Sequence, residues 1–508
     1  MSAIRRNIIA NLLGGVWTTV LTLAITPLQV NLLGIEAYGL IGFIATLQIA
    51  FAIFDLGLSS TLTRELAADH SEGHVQSAEL LRTASTIYWA FALIVGTCLA
   101  ASANFIANHW FNITKGLSIQ QVEQALYVII LFLAVRWPVA LYGGVLSGLQ
   151  RLDVLNVVKV VTTSLRLLGG IVVLLVWRDL QVFLWWTAIN AIVEVIAYQI
   201  TCQRVHRTIS WRPGISLTAL RKVWSFSLSM TAISLLALLL SQLDRLMLSK
   251  LVSLDDLGYY MLAYNAAASI SLSISAISSA MLPSFAAVSG HSGAHVLLRR
   301  YDRGNRVILF IVGLATCILV FFGDTILSLW VGTSAATKAY PPLTLLAIGF
   351  WCSALLSNAY SLAVATGNPS LPLRLSALSA VPYLVALYVL VKSYGIYGAG
   401  LAWLLLNLSY VAVLIPVVHR KLLMLPTRGW FLGTVAPFVL MGCASFALPR
   451  MISDHLPVSS RTVSNIAALG TAIALYGLFG YRLLGAHIQA EIVALLRYRG
   501  KRASSLFP

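Results

Sequence analysis

Two hydrophobic spans at the start of the chain set a pattern that returns in mid-chain. Between Asn7 and Ala67, a helix-length apolar run is followed by the short turn LLGIEAYGL and by a second apolar run. Polar and small side chains recur in the first run every three or four residues, which places them on one face of a helix. These residues are Asn11, Gly15, Thr18, Thr22, Thr26 and Gln29. Such a face is unsuited to lipid, so we expect it to face protein or water.

The second run and the middle of the chain repeat this plan. The second run has the same spacing in Gln48, Ala52, Asp55 and Ser59. Around Trp224 to Ser284 there follow a span with Ser234, Ser241 and Arg245, the turn SLDDLGYY, and a span with Asn265, Ser269 and Ser273. We interpret the two regions as one structural unit used twice.

Composition identifies the chain as an integral membrane protein. It is 59% hydrophobic and 10% charged, with a mean hydropathy of +0.86, whereas soluble domains are roughly 25% charged. A spanning helix needs about 20 mostly apolar residues, and the pattern predicts an all-α fold with about fourteen spans. These are 9–33, 38–60, 84–107, 124–147, 158–177, 182–203, 224–249, 257–282, 307–332, 342–366, 372–391, 397–418, 431–449 and 462–484.

The net charge of +17 follows the predicted topology. With a cytoplasmic N-terminus, the loops on the opposite side hold only Lys115, Arg178, Lys338, Lys392, Arg450 and Arg461. Most of the other Lys and Arg residues then lie in cytoplasmic segments, and this positive-inside asymmetry predicts that both termini are cytoplasmic. The charge is therefore attributed to topology and to attraction by anionic lipid rather than to nucleic acid.

Three ionisable residues fall inside consecutive predicted spans, namely Arg136, Arg166 and Glu194. A charge at the middle of a span costs about 2.5–3.5 kcal/mol on translocon scales, so we expect these side chains to face protein or water. Two arginines and one carboxylate predict a cationic cavity, and the planar guanidinium suits phosphate. The alternative is a buried strut in which Glu194 pairs with Arg136 or Arg166. Asn190 lies on the same face as Glu194.

Three further charged residues are candidates for gating or proton coupling. Asp244 and Arg245 come near the outer end of the seventh span and form either a gating pair or a snorkelling pair. Asp55 comes near the cytoplasmic end of the second span, where it caps a helix, pairs with Arg64 or takes a proton. Glu194 is the other candidate proton carrier.

The repeat predicts a domain organisation. Each copy contains six spans, so both copies enter the membrane from the same side and are expected to be related by a pseudo-two-fold axis along the membrane normal. The predicted parts are an N-terminal lobe at 1–208, a C-terminal lobe at 209–424, an added helix pair at 425–486 and a basic cytoplasmic tail at 487–508. This is transporter architecture. The five cysteines are single and no Walker P-loop is present, so no metal or cofactor is expected.

Several segments resemble one transporter family. They are NLLGGVWTTVLTLAITPLQVNLLGIEAYGL, DLGLSSTLTREL, VLSGLQRLDVLN, SQLDRLMLSKLVSLDDLGYYMLAY and YGIYGAGLAWLLLNL. In order and spacing they resemble the polysaccharide-transporter branch of the multidrug/oligosaccharidyl-lipid/polysaccharide flippase superfamily. The resemblance implies two six-helix lobes that move an undecaprenyl-pyrophosphate-linked oligosaccharide across the bacterial inner membrane by alternating access, for O-antigen or exopolysaccharide synthesis. It also implies a side groove for the polyprenyl tail in the last two spans.

For a substrate of that kind, we expect the charged and polar residues inside the spans to have the following roles. Arg136 and Arg166 are expected to bind the pyrophosphate, and no bond is broken, so no enzymatic activity is expected. The polar cavity residues expected to contact sugar hydroxyls are Asn11, Thr18, Thr22, Gln29, Gln48, Asn190 and Asn265. A glycan polymerase and a chain-length regulator are candidate partners.

Other functions remain open at this point. A lipid II flippase would share the phosphate chemistry, whereas the cavity of a multidrug exporter is expected to be dominated by carboxylates. A membrane polymerase or ligase acting on lipid-linked glycan needs a sizeable catalytic segment outside the membrane, and the longest predicted outer loop here is roughly Asn108 to Glu123.

Overall fold

Most of the described residues are helical. The structure, a computed structural model, describes residues 3–51, 55, 57–72, 76–113, 116–205, 214–216, 221, 231, 235–236, 240–289, 294–455 and 461–490. Within these ranges no strand is formed, and an isolated bridge pairs Asn112 with Ser253. The predicted all-α class is confirmed.

The first of two compact units comprises Met1–Met261 and Leu384–Ile396. Its helices are α1 (Ala3–Leu33), α2 (Ile35–Ala50), α3 (Leu58–Glu72), α4 (Gln76–His109), α5 (Ile119–Arg136), α6 (Val139–Gly148), α7 (Leu152–Trp177), α8 (Leu180–Val205) and α9 (240–251). Gly34 separates α1 from α2 with a φ of 87°, a conformation that glycine adopts without strain. Helix α8 packs along both α5 and α7, which brings the three helices with embedded charges together.

The second unit comprises Leu262–Tyr383 and Tyr397–Pro508. Helix α10 (Leu254–Ala268) begins in the first unit, and the helices after it are α11 (Ile270–Ser289), α12 (Ala294–Val331), α13 (Thr333–Ala365), α14 (Ser370–Val418), α15 (Thr427–Trp430), α16 (Ala436–His455) and α17 (Arg461–Leu483). Two π-helical turns, His419–Leu423 and Phe431–Val435, flank α15. The lobe boundaries predicted at 208 and 424 stay a prediction.

Most of the predicted spans coincide with helices of the structure. Within the described residues, eleven helices are long and apolar enough to cross a membrane, so the chain is a multi-pass membrane protein. The predicted span 38–60 corresponds to the shorter apolar helix Ile35–Ile49, and the predicted span 224–249 falls mostly outside the described residues. The spans 372–391 and 397–418 join in one stretch, Ser370–Leu423, which Gly395 interrupts with a φ of 56°. The figure of fourteen stays a prediction.

The two repeated turns lie against each other within the first unit. Aligning LGIEAYGL with VSLDDLGY places Ile35 opposite Leu254 and Gly39 opposite Gly258. A Cβ atom on Gly39 would overlap the carbonyl oxygen of Leu254, and one on Gly258 would overlap the carbonyl oxygen of Ile35. The contact is therefore reciprocal, with the same repeat positions on each side, and only glycine fits at its centre.

Hydrogen bonds to the end of α4 hold the second of these turns. The Leu254 amide donates to the carbonyl oxygen of Asn112 at 3.2 Å, and Trp110 Nε1 donates to Ser249 Oγ at 3.0 Å. Asn112 Nδ2 donates to the carbonyl oxygen of Lys250 at 3.1 Å. The chain near residue 250 is thus fixed by residues that follow α4.

In the second unit, α16 and α17 are joined to α12 at both ends. At one end, Arg450 contacts Asp324 through two N–H···O bonds, of 2.7 and 3.2 Å, and Asn465 Nδ2 donates to Thr325 Oγ1 at 2.9 Å. At the other end, Thr434 Oγ1, in the π-helical turn that leads into α16, donates to Asp302 Oδ1 at 2.9 Å, and Arg306 Nη1 donates to the carbonyl oxygen of Leu483 in α17 at 2.9 Å. The last helix pair is therefore an integrated part of this unit.

Candidate functional site

Arg136 lies at a break in the span Ile119–Gly148. Helix α5 ends at Arg136 and α6 begins at Val139, with Pro138 between them. The proline nitrogen carries no hydrogen, so the carbonyl of Ala134 loses its normal helical donor. Trp137 fills the inner side of the break, where it packs edge-on against Phe51. The break leaves the Arg136 side chain at a helix end within the membrane.

Arg136 and Glu194 form a bidentate ion pair between α5 and α8. Arg136 Nε donates to Glu194 Oε2 at 2.7 Å, and Nη2 donates to Oε1 at 3.0 Å. The carboxylate side chain is 5% exposed and the guanidinium side chain 24%. Two parallel charge-assisted bonds compensate the desolvation of a buried carboxylate. Of the two pairings that the sequence allowed for a strut, the structure contains the one with Arg136.

Gln48 of α2 extends this cluster. Its amide lies against the Arg136 guanidinium and, with its oxygen turned toward Arg136, accepts from Nη1 and, at 3.2 Å, from Nε. An amide oxygen satisfies guanidinium donors without adding charge. Gln48 was predicted as a polar residue of the cavity, and the structure brings it into contact with Arg136.

Arg166 is the second arginine of the cluster and is not part of the ion pair. It lies on α7, half-buried, close enough to both Arg136 and Glu194 for electrostatic interaction. Trp186 Nε1 of α8 donates to its backbone oxygen at 3.0 Å, which fixes the position of this turn of α7. Among the described residues, no carboxylate forms an ion pair with Arg166.

The charge of the site follows from these contacts. Arg136 and Glu194 neutralise each other, and Arg166 adds one positive charge. A guanidinium without a carboxylate partner inside a membrane protein is costly unless water or an anion contacts it. The cluster of Gln48, Arg136, Arg166 and Glu194 is therefore suited to bind a phosphate-type anion.

The other predicted cavity residues occupy different environments. Thr18 Oγ1 donates to the carbonyl oxygen of Gly15 at 3.0 Å, and Thr22 Oγ1 donates to that of Thr18 at 2.8 Å, so both hydroxyls bond within α1. Gln29 is 6% exposed and Asn190 is 2% exposed. The Asn190 Oδ1 atom finds no donor among the described residues. Asn265 is half-buried in the second unit, and the Asn11 side chain lies outside the described part of the chain.

Asp55 caps the start of α3. Its Oδ1 atom accepts from the backbone amide of Ser59 at 3.2 Å, and Oδ2 accepts from Ser59 Oγ at 2.6 Å. These bonds satisfy a backbone donor that the first turn of a helix leaves free. Of the roles considered for Asp55, capping is the one with visible contacts, and proton coupling through Asp55 stays a prediction.

Substitutions at Asp55 separate the two roles. Asp55→Ala is expected to lower the free energy of unfolding by about 1 kcal/mol because it removes the cap, whereas Asp55→Asn keeps an accepting oxygen and is expected to stay close to wild type. Thermal unfolding of the purified variants measures this difference. If Asp55→Asn folds normally but loses transport at every pH, Asp55 carries a proton instead.

Asp244 and Arg245 are buried in α9, with exposures of 1% and 3%. Tyr260 of α10 donates to Asp244 Oδ2 at 2.6 Å, and Arg245 Nε lies 3.5 Å from Asp244 Oδ1. Arg245 also donates to the carbonyl oxygen of Ser241. The pair therefore lies inside the protein rather than snorkelling toward solvent, and its role in gating stays a prediction.

Two contacts of the first unit were not predicted from the sequence. Tyr260 was not predicted as the partner of Asp244, although the spacing Asp244 to Tyr260 crosses one short turn and so keeps both residues at the same end of their helices. The reciprocal contact of Gly39 and Gly258 was not predicted either. Their equivalent positions in the two repeated turns were the available signal.

The chain is similar in sequence to a known protein family and to a transporter. A family model described as polysaccharide biosynthesis protein matches residues 4–289. A putative O-antigen transporter of Shigella flexneri is 22% identical over 411 residues, which cover 79% of this chain and 94% of that protein.

Two solved structures share the fold. The lipid II flippase MurJ in an inward closed conformation has a TM-score of 0.70 at 12% identity, covering 92% of this chain and 97% of the other. An inward-facing multidrug resistance transporter of the MATE family, from the MOP superfamily, has a TM-score of 0.64 at 13% identity, covering 80% and 94%. At these identities the likeness concerns the fold.

Proposed function

Because the chain belongs to the polysaccharide biosynthesis protein family, we propose that it is a flippase for lipid-linked glycans. Its substrate is an undecaprenyl-pyrophosphate-linked oligosaccharide repeat unit, which it moves across the bacterial inner membrane by alternating access for O-antigen or exopolysaccharide synthesis. The observation that carries the proposal is the half-buried Arg166, beside the Arg136–Glu194 pair and without a carboxylate of its own among the described residues.

The chemistry of the substrate explains why such an arginine is needed. A pyrophosphate must lose much of its hydration to enter the membrane, and charged groups lose hydration at high free-energy cost. A guanidinium replaces water with several fixed donors in a planar fork. Arg166 supplies these donors. The Asn190 Oδ1 atom is buried and accepts no hydrogen bond from the described residues, so it would contact a sugar hydroxyl only after the helices around it open. No bond is made or broken, so the protein acts as a transporter and not as an enzyme.

Glu194 gives the site a means of coupling to protons. While ionised, it holds Arg136 in the bidentate pair. Protonation of the carboxylate would weaken that pair and release the Arg136 guanidinium, so that both arginines contact the pyrophosphate. A proton and the anionic head group would then bind together. Asp55 is a second candidate carrier with less support, because its oxygens are engaged by Ser59.

Glu194→Gln tests this coupling. Because glutamine cannot take up a proton, the variant is expected to bind lipid-linked glycan with an affinity independent of pH, whereas the affinity of wild type is expected to depend on pH if this residue carries the coupled proton. Titration of purified protein with lipid-linked glycan at several pH values measures both. Normal pH dependence of binding and transport in Glu194→Gln would exclude this residue as the proton carrier.

An apolar cavity in the second unit supports a site for the polyprenyl tail. It measures about 230 Å³ and is bounded by α12, α13, α16 and α17. Gly313, Trp351, Cys443 and Tyr476 are among its lining residues. An isoprenoid chain matches such a lining because it gains free energy from apolar contact and needs no hydrogen bonds. A glycan polymerase and a chain-length regulator are the partners proposed for the exported unit.

Leaflet exchange in vesicles tests the function directly. Purified protein is reconstituted with a fluorescent undecaprenyl-pyrophosphate glycan, and a membrane-impermeant lectin reports the glycan in the outer leaflet. The proposal predicts that the glycan crosses between leaflets faster than in vesicles without protein and that its length does not change. Glycan elongation would indicate a polymerase. Exchange restricted to lipid II, or export of organic cations instead, would indicate one of the other transporter classes.

A further inference from the structure

A groove on the outside of the last helix pair is distinct from the apolar cavity described above. It has a volume of about 450 Å³, and the described residues that line it belong to α16 and α17. The lining residues are Pro437, Met441, Ala444, Ser445, Leu448, Leu475, Phe479, Arg482 and Leu483. Leu448 is 59% exposed and Phe479 is 45% exposed. A groove with exposed apolar walls on two spanning helices faces the surrounding lipid.

The groove extends from the last turn of α17 toward the middle of that helix and follows the central part of the continuous helical stretch Thr427–His455. Arg482, in the last turn of α17, marks the end that the charge distribution predicts to be cytoplasmic. From Pro437 to Leu448 the groove follows α16 for about 16 Å at 1.5 Å per residue. This is about half of the 30 Å hydrocarbon thickness and therefore corresponds to one leaflet.

Arg482 is the one charged residue among the described residues that line the groove. Its side chain is exposed, and no carboxylate of the described residues forms an ion pair with it. The hydroxyl of Ser445, the other polar side chain of the lining, already donates to Met441 Sδ at 3.7 Å. The described lining thus offers an apolar channel about as long as one leaflet is deep, with one arginine, Arg482, at the end that is predicted to be cytoplasmic.

We propose that this groove binds an anionic phospholipid of the cytoplasmic leaflet, with an acyl chain along Ala444 and Leu475 and its phosphate on Arg482. Charge complementarity selects an anionic head group, and the length selects a leaflet lipid. The charge distinguishes this groove from the apolar cavity proposed for the polyprenyl tail, because the described lining of that cavity contains no charged residue.

The test is native mass spectrometry of the full-length purified protein, equilibrated with equal amounts of phosphatidylglycerol and phosphatidylethanolamine. Wild type is expected to retain phosphatidylglycerol preferentially. In Arg482→Gln this preference is expected to fall about five- to tenfold, the effect of one interfacial cation. Arg428→Gln is the matched control, because Arg428 is an exposed arginine near the same end but outside the groove, and it should behave as wild type.

A second variant tests the groove itself. Ala444→Leu adds side-chain volume to the groove wall and is expected to reduce retention of both lipids. If Ala444→Leu yields too little protein, thermal unfolding of the other proteins takes the place of this variant. Added phosphatidylglycerol should raise the Tm of wild type and of Arg428→Gln but not that of Arg482→Gln. An unchanged preference in Arg482→Gln, or a polyprenyl diphosphate as the retained lipid, overturns the proposal. Neither readout depends on glycan transport, so the flippase proposal stands or falls separately.

Discussion

Arg166→Gln is expected to reduce leaflet exchange of lipid-linked glycan by about ten- to a hundredfold, the effect of losing a charge-assisted contact to phosphate. The amount of folded protein in the membrane should stay the same, because no described carboxylate loses a partner when this charge is removed. Exchange in vesicles, normalised to inserted protein, measures the effect.

The control for this experiment lies on the same helix. Lys159→Gln also removes one positive charge from α7, but Lys159 is exposed, and exchange should remain near wild type. Exchange at the wild-type rate in Arg166→Gln would remove the proposed phosphate site. An equal loss in Lys159→Gln would show that the total charge of α7 matters rather than this position.

Arg136 requires a different design, because it has a buried partner. Arg136→Gln alone leaves Glu194 without its counter-charge, which typically costs about 3–5 kcal/mol, so loss of transport would not separate binding from folding. The double variant Arg136→Gln with Glu194→Gln removes both charges of the ion pair, so neither partner leaves the other uncompensated. If Arg136 binds substrate, the double variant folds but still transports poorly.

The second large effect is expected at the contact between the repeated turns. Gly39→Ala and Gly258→Ala each place a Cβ atom on a backbone carbonyl oxygen, which cannot move aside as a flexible side chain can. Overpacking costs about 1–3 kcal/mol, and we expect the upper end of that range for each variant. The Tm of purified protein and the yield of inserted protein measure the loss.

A glycine in open space serves as the control for these variants. Gly470 of α17 has no atom within 4 Å of an added Cβ, so Gly470→Ala should be neutral or slightly stabilising. Because the contact is reciprocal, Gly39→Ala and Gly258→Ala should have similar effects. Wild-type stability in either variant would show that the turns separate without cost and would contradict the tight packing.

The sequence predicted the membrane class and the main features of the site for a simple physical reason. An apolar run long enough to span a membrane forms a helix there, because a helix pairs its backbone polar groups within itself. The positions of Arg136, Arg166 and Glu194 inside such spans required protein or water around their charges. Helical periodicity also placed Gln48 and Asn190 on inward faces. The all-α fold follows from these local properties and is confirmed.

The side-chain partners of these charged residues could not be predicted to the same degree. Periodicity identifies the face of a helix but gives neither its depth nor its rotation relative to a neighbour, so the choice between Arg136 and Arg166 as the partner of Glu194 stayed open. The same limit applies to Asp244, whose partner Tyr260 lies on the next helix. Hydropathy also does not separate individual spans where a helix is short, as at Ile35–Ile49, or where two spans join across a kink, as at Gly395.

The connection between α12 and the last helix pair has a consequence for biosynthesis. Asp324 enters the membrane 126 residues before Arg450, the arginine that neutralises it. During synthesis the carboxylate is therefore inserted ahead of its counter-ion, and its compensation waits for α16. A chain truncated before α16 would therefore lack both this ion pair and the bond from Asn465 to Thr325, so the far end of α12 would stay without its packing partners until the last helix pair is made.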